Sequence, residues 1–177
     1  MKKQMETIKT TFGNLFTIYT ETATLLLDAE SLMEKAGYTC PHGNTLGTEQ
    51  SKNMNNPGWW ITPYAARYFI DKKHPHILKG LGVFFVTQYY EAIEPLIIIA
   101  SFDMKKDDKD EPMDFGYYYL RYIWFNLVTG DEMNKEYSFG EKWNFNKAKV
   151  MAIPLENIKD MDALIKMVID PLVEMGV

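Results

Sequence analysis

The eight residues from Pro95 to Phe102 read PLIIIASF and form the most apolar window of this 177-residue chain. A helix needs roughly 20 apolar residues to cross a bilayer, so this window is too short to span one. A short run of this kind, rich in isoleucine, instead predicts a β-strand that is buried on both faces. We therefore expect a sheet in which this strand is central.

Three further runs of β-branched and aromatic residues, each bounded by turn signals, predict strands at 82–90, 116–128 and 148–155. The connections are short, so antiparallel pairing is expected to dominate. Pro154 places the last of these strands near a sheet edge or at a strand end. The segment 129–146 is a candidate for an additional, fifth strand.

Two amphipathic helices are predicted to flank the strands. In the first, from Leu15 to Ala36, apolar residues recur at helical spacing, and Gly37 follows as a left-handed stop. The second lies near the end of the chain, where Pro171 should kink or break it near Ile169. A short helix is also predicted from Pro63 to Asp71, with a strand as the competing interpretation. The apolar positions of the two long helices are Leu15, Tyr19, Leu26, Ala29 and Met33, and Met161, Leu164, Ile165, Val168, Leu172 and Met175.

These elements predict an α+β fold with two layers, in which a mainly antiparallel sheet of four to five strands is covered by the N- and C-terminal helices. A length of 177 residues fits one globular domain, 1–177. Within it, 38–58 lacks apolar periodicity and is expected to be a long loop. The densely charged segment 103–115 is expected to be a hairpin loop.

Composition argues against several classes of function. The chain has seventeen lysines, only two arginines and a net charge of −5, a poor basis for recognising phosphates, so no nucleic-acid partner is expected. No segment is long and apolar enough to span a membrane, and Glu6 and Lys9 interrupt the N-terminus where a signal peptide would be apolar. A single cysteine forms no intramolecular disulfide, which favours a cytoplasmic location.

The only cysteine and the three histidines occur as two pairs with one intervening residue, Cys40 with His42 and His74 with His76. Structural zinc sites space paired ligands by two to four residues, and here the intervening residues are prolines. We therefore expect turn histidines and no metal or other cofactor. The alternative is a small metal-dependent enzyme that uses these four residues, with Glu91 or Glu94 as a base.

Aromatic residues supply the candidate binding surface. In the strand at 116–128, apolar or aromatic side chains point to both faces, so a loop, a ligand or a second subunit must cover the face away from the helices. No familiar catalytic or nucleotide-binding motif is present. The sequence therefore predicts a non-catalytic module that binds a small molecule or a protein through an aromatic-lined sheet face, and a homodimer. The predicted ligand-binding residues are Trp59, Trp60, Tyr64, Arg67, Tyr68, Tyr118, Tyr122 and Trp124, with Lys72 and Lys73 as further anchors for an anionic ligand.

Overall fold

The structure, a computed structural model, describes residues 2–48, 54–55, 61–85, 94–106, 134–138 and 144–177. Helices and strands account for most of these residues. They are α1 (Lys2–Lys35), β1 (Tyr38–Thr39), β2 (Tyr64–Asp71), β3 (Ile77–Phe84), β4 (Leu96–Met104), β5 (Asn134–Ser138), β6 (Phe145–Pro154), a 3-10 turn (Leu155–Asn157), and a C-terminal helix over 161–174. The fold is α+β, as predicted.

The strands form one antiparallel sheet in the order β1-β2-β3-β4-β6-β5. β4, the PLIIIASF strand, pairs with β3 on one side and β6 on the other, which confirms its predicted central place. Pro154 is the last residue of β6. Proline has no N–H to donate, and at the end of a strand this removes no hydrogen bond from the strand interior. The candidate fifth strand in 129–146 is present as β5, which pairs with β6 at the sheet edge.

The helix predicted from Pro63 to Asp71 is wrong, because this segment forms β2. It pairs with β3 from Tyr64 opposite Phe84 to Ile70 opposite Leu78. Apolar residues face both sides of the strand, so the sheet buries all of its first six residues, which no single helical face could do. The predicted long loop 38–58 likewise begins with two residues that extend the sheet as β1.

α1 begins at Lys2, thirteen residues earlier than predicted, and ends as predicted before Gly37, whose φ is +96°. Glycine adopts this left-handed conformation without a steric cost. The residues before Leu15 have a polar character that hid the helical period, although Met5, Ile8 and Phe12 continue its spacing. The helix is therefore 34 residues long, about 50 Å.

One face of the sheet packs against both helices. The buried side chains of α1 and of the C-terminal helix form one cluster with the side chains that β2, β3, β4 and β6 point to that face, among them Phe69, Leu81, Val83, Ile97, Ile99 and Ile153. The contributing helix residues are Leu26, Ala29, Met33, Leu164, Val168, Ile169, Leu172 and Met175. Burial of this apolar surface fixes the second half of α1 on the sheet.

The other sheet face carries a second buried cluster that includes Tyr64, Phe84, Ile98, Phe102 and Phe145, each fully buried within the single chain. These positions therefore need no second subunit to exclude water. The strand predicted at 116–128 lies outside the described residues, as does 107–115 of the predicted charged loop. Asp103 and Met104, at the start of that loop, are the last residues of β4.

The C-terminal helix is irregular at the predicted place. It begins as an α-helix (Met161–Leu164), continues as a π-helix (Ile165–Ile169) and ends as an α-helix (Asp170–Glu174). Pro171 lies in the first turn of the last segment, where its missing N–H removes one hydrogen bond to the preceding turn. Of the helices that the structure describes, none has an apolar stretch sufficient to traverse a bilayer.

Candidate functional site

A cavity of about 690 Å³ lies between the middle of α1 and the ends of β2, β3 and β4, with the 3-10 turn after β6 closing another side. Its volume is within the range of roughly 300–1,000 Å³ that is usual for small-molecule sites. The wall is largely aliphatic and aromatic. The lining residues are Leu15, Ile18, Tyr19, Glu21, Thr22, Leu25, Ile61, Thr62, Pro63, Val83, Phe85, Pro95, Leu155 and Ile158.

Hydrogen bonds hold the walls of this cavity together. The Tyr19 hydroxyl donates to the carbonyl oxygen of Thr62 at 3.3 Å, joining α1 to the segment that enters β2. The Phe85 N–H donates to the Pro63 carbonyl at 2.9 Å. The Tyr19 and Phe85 rings meet edge to face, with centroids 5.8 Å apart. The cavity is thus formed by fixed groups before any ligand enters.

The opposite wall is fixed in the same way. The Leu155 N–H donates to the carbonyl oxygen of Pro95 at 2.8 Å, which ties the turn after β6 to the residue that precedes β4. The Ile158 N–H in turn donates to the Leu155 carbonyl at 3.0 Å. Leu155 and Ile158 are each half-buried, so one part of each side chain packs on the core and the other part faces the cavity.

Glu21 is the single charged side chain among the described residues that line the cavity. Its carboxylate lies on an exposed position of α1, at the cavity rim. Burial raises the pKa of the Tyr19 phenol, which therefore stays a neutral hydrogen-bonding group. A wall of this kind suits an apolar body with a neutral or positively charged head, because an anionic head would be repelled by Glu21.

The predicted aromatic site is only partly within the described residues. Trp59, Trp60, Tyr118, Tyr122 and Trp124 lie outside them. Tyr64 and Tyr68 are described, and both are buried, at 0% and 1% exposure. Tyr64 stacks on Phe84 with centroids 5.0 Å apart and planes 17° apart, and it belongs to the cluster on the sheet face away from the helices.

Arg67 points to the other sheet face and is 3% exposed. Its guanidinium forms an ion pair with Glu30 of α1 and donates to the carbonyl oxygen of Thr45 at 2.9 Å. These contacts attach α1 and the loop after β1 to the sheet. Lys72 and Lys73, the other predicted anchors, are exposed in the turn between β2 and β3. They are thus not gathered with Arg67 in one site.

The Cys/His pairs lie on different segments. His74 and His76 are in the β2–β3 turn, where the His74 imidazole is 2.8 Å from the carboxylate of Asp71. Cys40 lies just after β1, its thiol donates weakly to the Gly43 carbonyl at 3.7 Å, and burial raises its pKa. Over the described ranges, which include all four ligands proposed from the sequence, no group of three or more His, Cys, Asp or Glu side chains is arranged to hold a metal ion.

The cavity was missed from the sequence because its walls come from five separate segments. Helical periodicity identified Leu15 and Tyr19 as part of the apolar stripe of α1. In the structure both are half-buried and line the cavity. No sequence signal relates them to Pro95 or Leu155. Only the antiparallel order of the sheet brings these positions to the same end of the molecule.

Comparison with known proteins adds no relative. No protein-family model matches the chain, no curated protein matches it, and no solved structure matches its fold.

Proposed function

We propose that this chain is a non-catalytic binding module that holds a small apolar molecule in the cavity between α1 and the sheet. The observation that supports this proposal is the cavity itself, which has a volume of about 690 Å³ and an almost wholly apolar wall. Water forms few hydrogen bonds with such a wall, so the hydrophobic effect favours its displacement by an apolar ligand. The aromatic-lined sheet face predicted from the sequence remains part of the proposal as a second surface, for a small molecule or a protein.

The proposal includes a two-layer arrangement, which is supported by the packing of α1 and the C-terminal helix in one cluster with one sheet face. It also includes a cytoplasmic location, supported by the single cysteine of the chain. In a two-layer fold of this kind, the cavity lies where α1 extends past the strand ends. The ligand would then reach it from solvent along the side of the helix.

The ligand class follows from charge. We propose an alkyl or aromatic body with a neutral or cationic head group, because the carboxylate of Glu21 lies at the rim. An alkyl trimethylammonium and a fatty acid of equal chain length should therefore differ in affinity, with the cation binding better. Glu21→Gln should reduce this difference while it leaves the binding of a neutral ligand unchanged.

A neutral environment-sensitive dye such as Nile red tests the cavity directly. Ile158→Trp should fill part of the cavity and weaken dye binding by about tenfold or more. Leu27→Trp is the matched control, because Leu27 is an apolar residue of α1 that is 61% exposed and does not line the cavity. Far-ultraviolet circular dichroism must show that both variants keep their fold. Equal dye affinity of the wild type and Ile158→Trp would overturn the proposal.

A further inference from the structure

The N-terminal half of α1 carries an apolar stripe that the other described parts of the chain leave open to solvent. Met5, Ile8 and Phe12 are 64%, 58% and 56% exposed, and Phe16 beside them is 69% exposed. A typical soluble protein scatters its exposed apolar side chains singly, whereas here they follow one side of a helix. An arrangement of this kind marks a surface that another molecule covers.

The stripe has the spacing of a coiled coil. Apolar or small residues recur at intervals of three and four along the entire helix, at positions 5, 8, 12, 15, 19, 22, 26, 29 and 33. In its second half, Leu26, Ala29 and Met33 are buried against the sheet. The heptad period thus continues from a packed half into an open half, and a strict period of 3.5 residues is the pattern by which one helix packs along another.

The later part of the open half, from Thr10 onward, also lacks charge. No residue from Thr10 to Thr20 is charged, although most of this segment is exposed. Interface cores are depleted of charged residues, while exposed helices usually carry them. The hydroxyls of Thr11, Thr17 and Thr20 donate to the backbone carbonyls four residues earlier, at 2.9, 3.1 and 2.8 Å. These hydroxyls are satisfied within the helix, so burial of their surroundings costs little.

We propose that a second copy of this chain covers the stripe, with the N-terminal halves of two α1 helices packed antiparallel. The charges of the helix favour this direction. Lysines 2, 3 and 9 outnumber Glu6 at its beginning, and Glu21 follows the uncharged segment. Antiparallel packing places the basic end of one copy near the acidic end of the other, and it also opposes the two helix dipoles favourably. Parallel packing would bring the lysines of the two copies together.

The available area is sufficient for a weak dimer. Met5, Ile8, Phe12 and Phe16 are between 56% and 69% exposed. With roughly 200 Å² for a large apolar side chain, they offer about 500 Å² per copy and about 1,000 Å² for two. This is the minimum of about 1,000 Å² that a biological interface should bury, and it falls in the range of transient interfaces. The dimer should therefore be reversible, with dissociation at low concentration.

A membrane surface is a weaker alternative for the same stripe. Helices that lie in a lipid interface carry lysine or arginine along the whole polar face, whereas here the lysines end at Lys9 and the polar residues from Thr10 to Thr20 are mainly threonines. The net charge of −5 also opposes attraction to anionic lipid. The dimer is thus the occupant that the charge distribution favours.

Sedimentation velocity over a concentration series tests the proposal. The wild type should pass from monomer to dimer within the micromolar range, and Phe12→Glu should shift this transition to at least about tenfold higher concentration. Thr10→Glu is the matched control, because it adds the same charge to the opposite side of the helix and should leave the transition unchanged. Phe12 and Thr10 do not line the cavity, so dye binding should be the same in both variants.

The direction of packing is tested by cysteine crosslinking in a Cys40→Ser background. Thr11→Cys, near the middle of the open half, should form a disulfide between copies, while Gln4→Cys should not, because antiparallel packing separates the two Gln4 positions by about 20 Å. Equal crosslinking at both positions would contradict antiparallel packing. A wild type that stays monomeric throughout the series, equal effects of Phe12→Glu and Thr10→Glu, or binding of the monomer to zwitterionic lipid vesicles through this segment would overturn the dimer.

Discussion

The guanidinium of Arg67, in the interior of β2, forms an ion pair with the carboxylate of Glu30 on α1. Arg67 is 3% exposed and the Glu30 side chain is 18% exposed, so water screens this pair much less than a surface ion pair. The same guanidinium bonds the backbone of the loop after β1 through Thr45. One buried cation therefore joins a helix, a loop and the sheet.

Removal of the carboxylate should be costly. Glu30→Gln should lower the free energy of unfolding by about 3 kcal/mol, because it leaves the Arg67 guanidinium buried without a countercharge. Urea denaturation measures this change. The double variant Glu30→Leu with Arg67→Met should lose less than the two single variants combined, since it also removes the charge that would be left unpaired. A loss below about 1 kcal/mol for Glu30→Gln would mean that the pair behaves like an exposed one.

Lys79 should give the protein a stability that rises with pH. Its ammonium is buried against the C-terminal helix, where it donates to the Met175 carbonyl, and burial lowers its pKa to about 8, with Asp71 opposing and Lys149 adding to this shift. Between about pH 8 and the usual pKa near 10.4, the unfolded chain binds the proton and the folded chain releases it. Unfolding therefore becomes harder across this window, by up to about 3 kcal/mol.

Urea denaturation of the wild type and Lys79→Met at several pH values measures this effect, because all other titrating groups are common to the two proteins. The difference between them should change between about pH 8 and pH 10 and be constant below about pH 7. Parallel pH profiles would show that the Lys79 pKa is the same in the folded and unfolded chains.

Ser101 should be a position where loss of a polar group stabilises the fold. It is fully buried in β4, and no group of the described residues lies within hydrogen-bond distance of its hydroxyl. Ser101→Ala should raise the free energy of unfolding by about 1 kcal/mol, because the unfolded chain alone hydrates the hydroxyl. Ala100→Ser, one residue away on the opposite sheet face, is the control and should lower it by about 1–3 kcal/mol. A destabilised Ser101→Ala would reveal an unseen partner of that hydroxyl.

The Cys/His pairs are expected to bind no zinc. The His74 imidazole is engaged by Asp71, and burial raises the pKa of Cys40, which disfavours the thiolate that zinc requires. A chelator should therefore leave the thermal midpoint unchanged, and Cys40→Ser and His74→Ala should each have the small effect of an ordinary loop substitution. About one zinc per chain by elemental analysis would instead favour the metal-dependent enzyme.

Local patterns determined much of the fold. The PLIIIASF run identified the central strand, since a position between two strands and two covered faces buries six consecutive residues, Ile97–Phe102. Gly37 marked the end of α1, because glycine readily adopts a positive φ. Pro171 marked the irregularity of the C-terminal helix, because proline lacks the N–H that a helix interior needs. Both effects act within a few residues. Helical spacing also identified the stripe of α1 that packs on the sheet.

Tertiary structure decided the rest. The segment 64–71 has a pattern compatible with a helix or a strand, and pairing with β3 selected the strand by burying it on both faces. The same packing placed Arg67 in the interior, where its charge is neutralised by Glu30, thirty-seven residues away along the chain. The apolar cavity arises where Leu15, Pro95 and Leu155 meet at one end of the sheet. Contacts between such distant segments depend on the order and register of strands, and residue spacing along the chain does not encode them.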